Sequence, residues 1–333
     1  MKKTALLLTT ILALLLTGCN TKRQYFEPET TDGSMKLSSN LPSSIKYTSS
    51  GGATLSNGNI ITKDGLNSNV KLQDGFYLLS ENNDMFISTN INGELMVTDS
   101  TGAVVFSRTF PTSVVSASLE NNLLAAVSAA NHIYLIDIFE SKTLMEYKSS
   151  EISAIDSRVA APLFLSAIII YPSLDGKIYI VNKANSQILR DIVVSSENFF
   201  NNITYLDVVD DYMIASTAKR VIVINPQKTI YFDGEIKSVL LDEKNLYIFL
   251  KDGSIRKTDL ALNTLAKSYF KFAIFSDATI SNDSLYIAEK TGYIIKTDLD
   301  LNNPKIFEFS NEIEDKSFMG KGKFYYDDEF IEF

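Results

Sequence analysis

From Ala53 onward the apolar residues come in short runs, and each run is bounded by Asn, Asp, Gly or Ser. Ile168-Ile169-Ile170-Tyr171 is followed by Ser173-Leu174-Asp175-Gly176 and then by Lys177-Ile178-Tyr179-Ile180-Val181. Short β-branched and aromatic runs between turn residues predict strands, and a Gly-bearing turn between two such runs predicts a hairpin. Lys251-Asp252-Gly253 and Asn92-Gly93 mark turns of the same kind.

One small pattern recurs along this all-β stretch. It occupies residues 58–64, 93–99, 131–137, 176–182, 219–225, 253–259 and 292–298. The third position is aliphatic in every copy (Ile60, Leu95, Ile133, Ile178, Val221, Ile255, Ile294), and the seventh is always Asp or Asn. Successive copies start at intervals of roughly 40 residues, a period that marks a β-propeller. The Asp or Asn closing each copy stands where a strand ends. Its side chain suits the next turn, because a short carboxylate or amide can accept from nearby backbone N–H groups.

The chain ends set the expected number of blades. Ala53-Thr54-Leu55-Ser56 is a weak strand before the first copy. Asp327-Asp328-Glu329-Phe330-Ile331-Glu332-Phe333 resembles the strands at 243–249 and 282–288 that lead into copies. Pairing the two ends would close the ring and cover both sheet edges. The expectation is therefore an all-β, seven-bladed propeller of four-stranded blades over residues 53–333, with a closing blade shared by N- and C-terminal strands.

The residues before the ring carry an address. Lys2 and Lys3 precede an apolar run at 5–16, then Thr17-Gly18-Cys19. A positive start, a short apolar run and small residues before a cleavage point make a secretory leader. The run is too short for a membrane-spanning helix, which needs roughly 20 apolar residues. Leu16-Thr17-Gly18-Cys19 resembles the bacterial lipobox, which implies cleavage before Cys19 and acylation of its thiol. Residues 1–18 are then the leader. Residues 19–52, rich in Ser, Thr, Asn and Gly, are expected as a flexible tether, part of which, such as Ile45-Lys46-Tyr47, can pack on the ring. Asn20, rather than Asp, leans toward the outer membrane, with the domain on the periplasmic side.

Composition removes several functions. The chain has 40 acidic against 31 basic residues and a net charge of −9, and it becomes more acidic once Lys2 and Lys3 leave with the leader. That balance opposes general binding to nucleic-acid phosphates. Cys19 is the single cysteine, so neither an internal disulfide nor a cysteine metal cluster is available. His132 is the single histidine. It occupies the second position of its copy, where other copies hold Asn59, Glu94, Lys177, Arg220, Ser254 and Tyr293, so it reads as a turn-edge residue and not a catalytic one. No Gly-x-Ser-x-Gly elbow accompanies it. Asp210-Asp211 and Asp327-Asp328 point to opposite faces of a strand and lack calcium-loop spacing.

The segments 175–182 and 292–298 resemble the repeats of pyrroloquinoline-quinone-type propellers and not WD40 repeats, whose Gly-His and Trp-Asp marks are missing. With the lipobox, the whole chain is similar to the BamB-like family of propeller lipoproteins, which implies a role in assembling outer-membrane β-barrels. Arg158-Val159-Ala160-Ala161-Pro162, ahead of Gly176, resembles the family segment that contacts the barrel-assembly subunit. Arg158 lies about one position out of register, and Ile152 and Ile155 stand near enough to supply apolar contact. Ile152, Ile155 and Arg158 are thus the candidate partner contacts. The quinoprotein dehydrogenases of the same superfamily stack their quinone on Trp and cap it with a disulfide. With no Trp and one cysteine, no cofactor is expected here, nor any enzyme activity. The leading expectation is a non-catalytic lipoprotein scaffold that presents its surface to protein partners. The alternative is a lipid-anchored propeller taking a small molecule, polysaccharide or surface ligand in its central channel.

Overall fold

The computed structural model describes residues 24–152, 155–309, 312–314 and 316–333. The described residues form strands and turns only. They build eight antiparallel four-stranded blades, not seven. Blade 1 covers residues 45–71, blade 2 77–109, blade 3 114–148, blade 4 163–193, blade 5 205–233, blade 6 236–269 and blade 7 275–309. Blade 8 takes Ser317–Gly320, Lys323–Tyr326 and Glu329–Glu332 from the C-terminal side and Ser39–Asn40 from the N-terminal side.

The expected seven-blade count fails because the C-terminal strands do not share a blade with the Gly58 copy but form an eighth with Ser39–Asn40. Blade 1 is complete by itself: Ile45–Thr48 is its inner strand and Gly52–Leu55 its second. Glu329–Glu332 is a third strand and does not lead into a copy. The position before it, filled by Gly in most copies, is Asp328, so the eighth copy lacks its mark. Asp327 makes the turn with φ 51°. The stretch expected as a tether is largely bound to the ring. Phe26 is buried between Phe270 and Tyr293. Ser34–Met35 adds in parallel to the outer strand of blade 7, and Ser39–Asn40 completes blade 8.

The repeat has a clear local cause. Its first residue immediately precedes the third strand of its blade. Gly93 (φ 86°) and Gly176 (φ 84°) hold left-handed backbone there, a setting that costs Gly nothing sterically. They are also crowded: a Cβ on Gly93 would sit 2.3 Å from the Phe110 carbonyl oxygen, and one on Gly176 2.4 Å from that of Ser195. The closing Asp or Asn holds the following turn in six of the seven copies, and Asp64 instead pairs with Lys321. Asp99 Oδ1 accepts from Thr101 N and Ala103 N, and Asp298 Oδ1 from Asp300 N and Asn302 N. The hydroxyl of Thr101 and these backbone groups hold the Asp99 carboxyl below its usual range.

The core lies between neighbouring blades. Ile133, Leu135, Ile169, Tyr171 and Val181, all shielded from solvent, pack blade 3 on blade 4. The Tyr171 hydroxyl donates to the Tyr134 carbonyl at 2.9 Å across that seam, and burial pushes its ionisation far up. Five inner strands carry a bulge one or two residues after their start, at Lys46, Leu79, Val115, Lys237 and Ser276. A bulge sharpens twist, so these strands turn steeply where they enter the channel.

Candidate functional site

In an antiparallel blade the hairpin between second and third strands lies at the same end as the blade-to-blade connector. One face of the ring therefore carries all the connectors and the glycine-marked hairpins. Most connectors are short, and two are long: residues 149–162 between blades 3 and 4, and 194–204 between blades 4 and 5. They lie side by side, and the first carries all three candidate contacts.

The first long connector dips into the axial channel. Ser50 Oγ of blade 1 donates to the Val159 carbonyl at 2.8 Å. Ser116 Oγ of blade 3 donates to the Ala160 carbonyl at 2.6 Å. Ala160 N donates to Ile203 O before blade 5. Asn202 Nδ2 donates to the carbonyls of Asp156 and Arg158, and its Oδ1 accepts from Asp156 N at 2.7 Å. Only a segment near the axis can reach blades 1, 3 and 5 together. Arg158 is engaged there: its Nε and Nη2 reach Asp156 Oδ1 and Oδ2 at 2.9 and 2.7 Å. Burial disfavours the charged Asp156, but Arg158 outweighs that and holds the carboxyl below its ordinary value. Ile152 and Ile155 are partly buried against the seam of blades 3 and 4. A recess of about 260 Å³ remains beside Ile155 and Val159, walled by Tyr47, Tyr77 and Leu79.

Deeper charges line the same axis. Asp277 on the inner strand of blade 7 is pushed up by desolvation, against the pull of Lys63, the N–H groups of Ala278 and Met319, and Lys237. Lys237 on blade 6 is pushed down, first by burial and then by Arg158.

The second long connector presents what the first hides. Phe199 is 60% exposed and Phe200 54%. Phe200 holds φ 54°, an uncommon setting for a bulky residue. Beside them lies a cleft of about 450 Å³ lined by Glu151, Ile152, Leu174, Asp175, Glu197, Asn198, Phe199 and Asn201. Its walls are fixed by Asn131 on the blade 3 hairpin, which is fully buried. Asn131 Oδ1 accepts from Leu174 N, and its Nδ2 donates to the Ser150 carbonyl. Nothing in the hydrophobic pattern pointed to Phe199 and Phe200. The available signal was the length of the connector and two adjacent aromatics outside any strand. The His132 ring lies 3.4 Å from the Tyr134 hydroxyl through Nδ1. Cys19 lies outside the described residues. No three His, Cys, Asp or Glu side chains among the described residues stand close enough to hold a metal ion.

A model of the family described as "Outer membrane protein assembly factor BamB" matches residues 45–265. The chain belongs to this BamB family. The structure of BamB from Moraxella catarrhalis superposes with a TM-score of 0.65 at 13% identity, covering 87% of this chain and 96% of that one. The C-terminal WD40 domain of Sif2 superposes equally well, with a TM-score of 0.66 at 13% identity over 90% and 99% of the two chains. At such identities the superpositions report the propeller fold alone. Among curated proteins, the plasminogen-binding protein PgbB of Helicobacter pylori strain J99 is 31% identical over 322 residues, covering 83% of this chain. PgbB of strain 26695 is 31% identical over 304 residues. The chain spans 59% and 56% of the length of these two relatives. By their names, the family is one of outer membrane protein assembly factors and PgbB binds plasminogen.

Proposed function

We propose that this chain is a non-catalytic, lipid-anchored envelope protein that binds protein partners through the connector face of blades 3–5. The observation that carries the reading is the pair Phe199–Phe200. Two adjacent aromatics stand in solvent next to Asn201 and Asn202, whose side chains are buried and hydrogen-bonded to the backbone, and one of the aromatics holds a costly backbone conformation. Strain kept at an exposed aromatic suits a binding surface, and buried aromatic anchors dominate protein interfaces. Ile152 adjoins the pair, whereas the Arg158 guanidinium is spent on Asp156 and supports the connector from inside.

Membership of the BamB family favours a periplasmic scaffold for outer-membrane barrel assembly, anchored through Cys19. The PgbB relatives favour a second reading, in which the same face takes a soluble extracellular protein. Capture with the full-length lipidated chain separates them. The scaffold reading expects the barrel-assembly subunit from solubilised membranes, with loss on Phe199→Ser/Phe200→Ser. The second expects saturable binding of purified plasminogen with the same loss. If the double variant keeps every partner of the parent chain, the proposed face is wrong.

A further inference from the structure

The cleft beside Phe199 has a chemistry of its own. Glu151 from the first long connector and Glu197 from the second are both exposed, and neither makes an ion pair within hydrogen-bonding distance among the described residues. Asp175, from the blade 4 hairpin, lines the same cleft and is held by the hydroxyls of Ser149 and Ser173. At the floor, Asn201 is 5% exposed. Its Nδ2 donates to the carbonyls of Asp175 and Ser195 at 2.9 and 3.0 Å, which fixes the orientation of the amide. Its Oδ1 is buried with no hydrogen-bond partner. A buried amide oxygen left unpaired costs free energy that a ligand donor recovers. Ile152, Leu174 and Phe199 supply apolar wall beside these acceptors.

We propose that this cleft receives a lysine side chain of a protein partner. The acceptors come from three different elements, and among the described residues no three carboxylates converge tightly enough for a metal ion. Separated acceptors suit an ammonium, whose three N–H groups radiate from one point. A guanidinium fork is matched instead by one carboxylate taken side-on. The apolar wall fits the four-carbon stem, which buries readily while its head stays among polar groups, and the Phe199 ring adds a face for the cation. The inference rests on the proposed protein-binding role and names what the face selects in its partner: an exposed lysine.

The test uses the full-length protein, 15N-labelled, with Nα-acetyl-lysine methylamide as probe and its arginine and norleucine counterparts as controls. The lysine probe should shift the Asn201 side-chain amide saturably and more strongly than the arginine one, and norleucine should leave it unmoved. Glu151→Gln/Glu197→Gln should weaken lysine binding by about tenfold while the rest of the spectrum keeps its positions. Equal response to norleucine, an arginine response as strong as that to lysine, or no response at Asn201 overturns the proposal. A partner that Phe199→Ser/Phe200→Ser loses but excess lysine probe does not displace would sink the lysine cleft and leave the protein-binding face standing. Probe binding without any captured partner would do the reverse.

Discussion

The side-chain oxygen of Asn131 accepts the backbone N–H of Leu174 at 2.8 Å, tying the hairpin of blade 3 to that of blade 4. The same amide donates to Ser150 O at 3.0 Å, and its residue holds φ 60°. Asn tolerates this left-handed turn and offers both a donor and an acceptor. Asn131→Ala should cost about 2–4 kcal/mol, from two unmet buried groups and a strained backbone. Asn131→Gly relieves the backbone strain and should cost less. Urea denaturation of the three proteins gives the ranking, and equal stability of Ala and parent would show that the bridge is not needed.

Removal of 330–333 should destabilise the ring as a unit. These residues pair with the second strand of blade 8 and with Ser39, and Phe333 stacks on Tyr286 at 4.3 Å. A single cooperative melt shifted to lower temperature is expected by calorimetry. An unchanged melting temperature would mean that blade 8 contributes nothing to closure.

Asp277 gives a pH signature. Its carboxyl is pushed up in the folded chain, chiefly by desolvation, so the folded state holds the proton more tightly than the unfolded one. The stability this contributes is complete below the unfolded value of 3.8 and is lost as pH rises through the raised folded value. The slope is at most about 1.4 kcal/mol per pH unit within that window. Asp277→Asn keeps an acceptor for Ala278 N, which lies 2.9 Å from Oδ1, and removes the titration. Urea midpoints measured from about pH 4 to neutrality should fall for the parent relative to the variant. Parallel curves would refute this.

Cys19→Ser should move the protein from the membrane to the soluble fraction and abolish incorporation of labelled palmitate. Two or more acyl chains anchor stably and none does not. Retention of the variant on membranes would show that another contact holds it.

The hairpins could be read from sequence because their chemistry is local. Gly176 needs left-handed backbone and Asp298 needs turn N–H groups, and both appear as residue types at fixed spacing. Blade 8 could not be read in the same way. Asp327 makes its turn without Gly, and Ser39–Asn40 joins it through backbone pairing that no apolar pattern records. The role of Arg158 was equally hidden. A bidentate partner two residues away, Asp156, and the descent of that connector into the channel are tertiary facts. The orphaned Oδ1 of Asn201 depends on two carbonyls brought together by the fold.

The pairing of Ser39–Asn40 with Glu329–Glu332 sets an order of events in synthesis. Ser39–Asn40 must wait, unpartnered, until Glu329–Glu332 has been made, because its neighbour comes from so much later in the sequence. Blades that pair only with themselves can settle one by one as they emerge. The seam cannot, and the loop entropy of joining distant segments falls on this last step. A nascent chain therefore passes through an open arc with two bare sheet edges. A chaperone that shields strand edges has its task at this seam.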